Sequence, residues 1–134
     1  MDYVFRGYQK DINAIISHEQ LMSYMYNHKH EYDVFRNSKF IIMAQTPYLD
    51  VDGKPIFEGD VIETKESKRQ RFCYEVIRDI ETGNFMAEPF MKGRASIKFG
   101  YTTLNNLQDL KTIVDGDAQI IGNKFENIEL YRRF

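Results

Sequence analysis

The sequence predicts a mainly β protein with minor α content, in which short strands curl into a barrel or an open curled sheet and one short helix lies in the N-terminal half. Three observations predict it. Apolar and polar residues alternate in short runs, and clusters of Gly, Pro, Asp and Asn separate those runs at close intervals. A central stretch, residues 45–63, holds two of the three prolines and two of the eight glycines, with β-type residues on both sides. A single helix-start signal stands out against this background.

Tyr3, Val4, Phe5 and Arg6 read as a first strand, with Gly7 ending or bulging it. A turn at 9–11 follows, and Ile12, Ala14 and Ile16 alternate as a second strand would. Ile12, Ile15 and Ile16 also stand at helical spacing, which leaves a helical reading open. Ser17 with Gln20 three residues on is a capping box, so a helix starts at Ser17 and runs to His28. Leu21, Met22 and Met25 form its buried stripe. At roughly three turns it persists only when packed on a sheet.

Residues 31–35 read as a strand, 36–38 as a turn, and Phe40, Ile41, Ile42, Met43 and Ala44 as a buried strand. Asp50, Val51, Asp52, Gly53 and Lys54 are turn chemistry. Asp side chains bond nearby amides, and Gly53 can take φ > 0 without a steric penalty. Pro55 fixes φ and removes a donor, so a strand can begin there but not run through as a central one. Glu58, Gly59 and Asp60 make a second tight feature, and 61–64 is a β-branched strand.

Residues 65–71 read as an exposed connection or edge. Residues 72–80 alternate, with Phe72, Tyr74, Val76 and Arg78 on one face and Cys73 on the other. Glu81, Thr82, Gly83 and Asn84 signal a hairpin into a returning strand at 85–90, where Pro89 marks an edge or a terminus. A turn at 91–94 and a short strand at 96–99 come next. Leu104, Leu107 and Leu110 suggest a helical segment or turn, 118–123 the last strand, and 127–130 a short terminal helix or turn. No repeat, low-complexity tract or linker divides the chain, so residues 1–134 read as one domain.

The totals narrow the function classes. At 134 residues, 43% apolar and 14% aromatic, the chain can bury a core and is not disordered in composition. A net charge of −2 gives no global attraction to nucleic acid or membrane. Cys73 is the single cysteine, so no internal disulfide forms. No apolar run is long enough for a membrane helix, and Asp2 and Arg6 interrupt the N-terminus without a signal core following. The expectation is a cytoplasmic protein of a host cell with no membrane association.

No catalytic, cofactor or metal constellation assembles from the residues. Asp50 and Asp52 before Gly53 resemble the start of a calcium loop, but a third ligand is missing and Val61 stands at the closing position, so turn capping is preferred. His28 and His30, with His18, Glu31 and Asp33 nearby, lack the spacing of a zinc site on a helix, and a solvated helix end is preferred. Cys73 has no local base or positive charge and reads as a small buried residue. No glycine falls into phosphate-loop spacing. Glu58 and Asp60 have the chemistry for acid–base work, but in a tight turn such carboxylates bond amides.

Lys65, Lys68, Arg69 and Arg71 form the one basic cluster. Across 63–78 five basic residues face three acids, a net of +2; across 48–60 four acids face Lys54 alone, a net of −3. With Phe72 and Tyr74 following, the cluster is the candidate single-stranded nucleic-acid contact, binding weakly and with salt sensitivity. An edge kept soluble by charge is the preferred reading.

Two blocks resemble a known family. Gln45, Thr46, Pro47, Tyr48 and Leu49, with Asp52 through Val61 (Asp-Gly-Lys-Pro-Ile-Phe-Glu-Gly-Asp-Val), resemble the central motif of the YopX family, roughly Q-Y/F-T-G-L-x-D-x-x-G-x-x-I-Y/F-E-G-D-I/V. Ile120 through Leu130 (Ile-Ile-Gly-Asn-Lys-Phe-Glu-Asn-Ile-Glu-Leu) is similar to its C-terminal signature, V-I-G-N-I/K-Y/F-E-N-P-E-L. Tyr3 through Tyr8 is a weaker match to K-F-R-A-W. Pro47-Tyr48, Gly7-Tyr8 and Ile128 depart from the pattern. The resemblance implies a phage- or prophage-encoded, mostly β protein with a small SH3-like, partly open barrel, and it supplies no catalytic residues. The expectation is a non-enzymatic accessory module that binds a protein partner or a second copy of itself, with nucleic acid as the alternative partner and no cofactor.

Overall fold

The computed structural model describes residues 4–27, 39–92, 107–115 and 117–131. The strand expected at 31–35, the turn at 36–38, His28 and His30, the strand at 96–99 and Leu104 lie outside the described residues. Among the described residues the fold is mainly β, with two antiparallel sheets, one of them curled into a half-barrel, and three short helices. The helix starting at Ser17 was expected, and Leu110, last of the three spaced leucines, opens a second one at Leu110–Val114. The one at Lys65–Arg69 was not expected, being a single turn too short to leave a periodic pattern.

The chain divides into two compact units, Met1–Gln45 and Thr46–Phe134. In the first unit β1 (Phe5–Gln9) lies between β2 (Ala14–Ile16) and the first part of β3 (Phe40–Leu49); in the second, the rest of β3 neighbours β4 (Pro55–Phe57). Strand β3 belongs to the first unit as far as Gln45 and to the second from Thr46.

In the first unit, β1 pairs antiparallel with β2, Gly7 opposite Ile16, and with β3, Phe5 opposite Ala44. The strand reading of 14–16 therefore holds over the helical one. Asn13 closes the β1–β2 hairpin at φ 52, a conformation that Asn tolerates better than most residues, and its side chain bonds the Tyr8 hydroxyl. Ser17 and Gln20 form the expected capping box. The Gln20 amide donates to Ser17 Oγ at 3.2 Å, and the Ser17 amide to Gln20 Oε1 at 2.8 Å.

The helix so started, α1 (His18–Asn27), buries Leu21 completely against Ile16 and Phe40. Burial of that side chain contributes about 1.5–3 kcal/mol. Gly7 lies beneath it: a Cβ there would stand 3.1 Å from Leu21 Cδ2. Helix and strand approach closely because position 7 carries no side chain.

In the second unit a five-stranded sheet has the order β8-β7-β6-β5-β9, from β5 (Asp60–Glu63), β6 (Phe72–Arg78), β7 (Phe85–Met91), β8 (Gln108–Asp109) and β9 (Gln119–Asn123). All its pairs are antiparallel. The alternation of β6 sorts its residues between two cores. Tyr74 and Val76 join Ile56, Ile62, Ala87 and Leu110, whereas Cys73 joins Val61 and Phe90 on the opposite face. The remaining helices are α2 (Lys65–Arg69) and α3 (Leu110–Val114), and Ile128–Leu130 is a 3-10 turn.

The hairpin expected at 81–84 is present. Asp79 organises it, accepting from the Glu81 amide at 3.0 Å and the Thr82 hydroxyl at 3.1 Å, and Gly83 takes φ 77. Two strands run past their prolines. β3 extends through Pro47 because β1 pairs only with Phe40 through Ala44, so the missing donor falls beyond that ladder. β7 extends through Pro89 because β8 pairs only with Met86 and Ala87.

Candidate functional site

Between β3 and β4 the chain turns on Asp50. Its Oδ1 accepts the amides of Asp52 and Lys54, both at 2.9 Å, while Gly53 takes φ 79 and donates its amide to the Asp50 carbonyl at 3.0 Å. Its Oδ2 reaches a distant strand, accepting the Ile120 amide of β9 at 3.2 Å. Val51 donates to the Ala118 carbonyl at 2.8 Å, just before the same strand. Burial alone would raise the Asp50 carboxyl, but the three amides and the Lys54 charge hold it below the usual carboxylate range.

The second corner is built the same way. Asp60 is buried and its Oδ2 accepts the Phe57 amide at 2.8 Å, with Gly59 at φ 90. Gly59 donates to the Val76 carbonyl at 2.8 Å and accepts the Lys124 amide at 3.0 Å. The corner is thereby bonded to β6 and to the residue after β9.

The C-terminal block is a self-capped turn. Asn123 Oδ1 accepts the amides of Phe125 and Glu126 at 3.0 and 2.8 Å, and its Nδ2 donates to Glu126 Oε1 at 2.9 Å. Asn127 Oδ1 accepts the Asn123 amide at 3.0 Å. Gly122 makes room for this: a Cβ would lie 2.6 Å from Asn127 Oδ1. Opposite Val61 and Ile62, β9 carries a bulge, since Gly122 and Ile120 are their partners and Ile121 is the extra residue. The two blocks that stand far apart in the sequence are therefore one substructure, joined along β9.

The pattern described as YopX protein matches residues 3–131, nearly the whole chain. The chain belongs to the YopX family. No curated protein matches it in sequence. Among the polar side chains of these blocks, Asp60 and Asn123 accept backbone amides, and Asn123 also bonds Glu126 and Asn127 within its own turn.

The four cations singled out from the sequence, Lys65, Lys68, Arg69 and Arg71, all lie exposed on or just after α2. This segment is an exposed connection between β5 and β6, as expected, and within it the chain forms a capped helical turn that was not expected. Thr64 Oγ1 accepts the Ser67 amide at 3.0 Å and Ser67 Oγ the Thr64 amide at 2.8 Å, a capping box that uses Ser where Glu or Gln is the usual sign. Asp117 Oδ2 accepts the Lys65 amide at 2.8 Å. Arg69 pairs with Glu66 one turn back, and Arg71 leaves the helix at φ 65. The aromatics that follow are turned inward: Tyr74 is core, and Phe72 packs edge-on against it at 5.2 Å.

His18 lies at the start of α1, where its Nδ1 accepts the Phe5 amide at 3.2 Å. Among the described residues no group of three or more His, Cys, Asp and Glu side chains could hold a metal ion. Cys73 is fully buried, its thiol pointing to the Phe90 carbonyl, and burial pushes it up to about 12. Tyr131 covers it from the C-terminal turn, stacked on Phe90 at 4.5 Å with its hydroxyl donating to Glu75 Oε1 at 2.8 Å. Burial, and then the Glu75 charge, raise the Tyr131 phenol.

Sequence reasoning missed the outward face of the β3–β4 lip. Pro47, Leu49, Val51 and Pro55 are exposed, while Thr46, Tyr48 and Ile56 point inward. The signal was present as an alternation at 46–49, which the proline at 47 obscured. Among the described residues no helix is long and apolar enough to cross a membrane.

Proposed function

We propose that this YopX-family chain is a phage- or prophage-encoded, non-enzymatic accessory protein that works by binding a protein partner or a second copy of itself in the host cytoplasm. One observation carries the reading: Asp50 binds three backbone amides and Asn123 two, so the polar atoms that meet along β9 are committed to shaping corners. A reaction centre needs such groups aimed at a substrate instead. The test is co-purification of the full chain from its host, reconstitution of any partner from purified components, and light scattering of the chain alone over a wide concentration range. A reconstituted complex or a concentration-dependent oligomer is expected. A chain that stays monomeric and reconstitutes with nothing overturns the reading.

The clustering of Lys65, Lys68, Arg69 and Arg71 on one exposed turn supports a second reading, weak binding of single-stranded nucleic acid. Anisotropy titration of labelled oligonucleotides at two salt concentrations tests it. Loss of binding in a Lys68→Ala, Arg69→Ala, Arg71→Ala variant is expected; no binding at low salt ends it.

A further inference from the structure

The corner that Asp50 holds presents an apolar surface. In β3, from Thr46, and in β4, the inward side chains Tyr48 and Ile56 enter the core, and Thr46 is buried. The outward ones, Pro47, Leu49 and Pro55, are exposed, and Val51 continues the row into the turn. Leu49 and Val51 each keep 58% of their surface in water. Single exposed aliphatics are ordinary, but a row of four on one side of a two-stranded lip is a surface suited to docking.

The lip is also held in place. Asp50 fixes both ends of its turn and ties it to β9 through Ile120, so little ordering remains to be done on binding.

The rim selects the occupant. In the same stretch Asp52 is exposed and Glu58 half-exposed, and Lys54 is the sole cation between residues 48 and 60 against four acids. Two such rims brought face to face would repel, which disfavours a patch-on-patch dimer. A partner of opposite sign is favoured, since complementary charge steers association and excludes wrong partners.

We propose that Pro47, Leu49, Val51 and Pro55 form a docking surface for a protein segment that carries aliphatic side chains flanked by Lys or Arg. This rests on the protein-binding reading above and adds where the partner sits and what its chemistry is.

Two synthetic peptides test it on the full chain, one alternating valine with lysine and one alternating valine with glutamate. Binding is followed by amide chemical shifts. The lysine peptide should move the Leu49 and Val51 amides, with affinity that falls as salt rises, and the glutamate peptide should leave them unmoved. A Leu49→Ser, Val51→Ser variant, with unchanged circular dichroism and melting, should bind the lysine peptide roughly tenfold more weakly. Equal binding of both peptides, or shifts that bypass these amides, overturns the proposal. A dimer that the double variant dissolves also overturns it, by giving the surface to a second copy. If a reconstituted natural partner binds the double variant as tightly as the wild type, the accessory reading survives and this surface does not.

Discussion

The carboxylate of Asp50 accepts the amide of Ile120, 70 positions further along the chain, at 3.2 Å. One side chain thus closes its own turn through Asp52 and Lys54 and fastens that turn to the outer edge of β9. An open strand edge invites pairing with other chains. Here the turn occupies part of that edge, with Val51 donating to the Ala118 carbonyl beside the Asp50 contact. The acid is architectural, and its removal has consequences that can be measured.

Asp50→Ala removes the acceptor for three amides, and we expect a loss of about 2–4 kcal/mol in denaturant unfolding. Asp50→Asn keeps one acceptor oxygen and should lose about 1–2 kcal/mol. The pH dependence has a definite sign. The folded carboxyl titrates below its unfolded value, so its contribution is complete above about pH 4 and is lost as pH falls through the folded value. The wild-type advantage over Asp50→Asn should therefore shrink on acidification below about pH 4. An advantage that grows there would show that the amides do not favour the ionised form.

Gly122→Ala places a methyl group 2.6 Å from Asn127 Oδ1 and 2.7 Å from its Cγ. Asn127 must then move and release the Asn123 amide, at an expected loss of about 1–3 kcal/mol. Asn127→Ala loses the same bond without the clash. In the double variant Oδ1 and Cγ are gone and only Asn127 Cβ, 3.0 Å away, remains close, so the combined loss should be smaller than the sum of the single ones. Additive losses would mean that the glycine serves a purpose other than the close approach.

Much of this architecture was legible in residue chemistry acting over short range. Ser17 with Gln20, Asp50 before Gly53, and Gly83 within the run 81–84 each announce a local turn or cap, and each is found. The opposite facing of Cys73 and Tyr74 followed from strand alternation alone. What was not legible depends on neighbours. The length of β3 through Pro47 is set by where β1 stops, and α2 is one turn whose cap uses Ser67 in place of Glu or Gln. The outward row on the lip required knowing which side of β3 faces the core. The union of the two family blocks along β9 is a long-range contact that spacing in sequence does not encode.

Cys73 is buried beneath Tyr131, and burial holds its thiol near 12. We expect the wild-type thiol to react slowly with a disulfide reagent at pH 8, its rate climbing with pH without the plateau that a free thiol shows above about 8.5. Tyr131→Ala removes the ring stacked on Phe90 and the bond to Glu75. If local opening becomes about 1.4 kcal/mol easier, the reaction accelerates roughly tenfold. Tyr131→Phe keeps the stack and should accelerate less. Equal rates in all three proteins would show that the C-terminal turn does not cover the thiol.

Thr64 and Ser67 cap α2 reciprocally, but their environments differ: Ser67 is fully buried and Thr64 only half so. Thr64→Ala frees the Ser67 amide at a helix start, a loss of about 1 kcal/mol. Ser67→Ala removes a hydroxyl that accepts the Thr64 amide at 2.8 Å and donates to the Thr64 carbonyl at 3.2 Å. Those partners are left without it in a dry site, so about 1–3 kcal/mol is expected. Thr64→Ser preserves the cap and should be close to neutral. Denaturant unfolding ranks the three variants, and Thr64→Ala costing more than Ser67→Ala would contradict the burial argument. The same series bears on the exposed cations, because Lys65, Lys68 and Arg69 share one surface only while the turn is formed. Oligonucleotide binding, if present, should weaken in Ser67→Ala at constant charge, which separates a requirement for the helical turn from attraction to the basic residues alone.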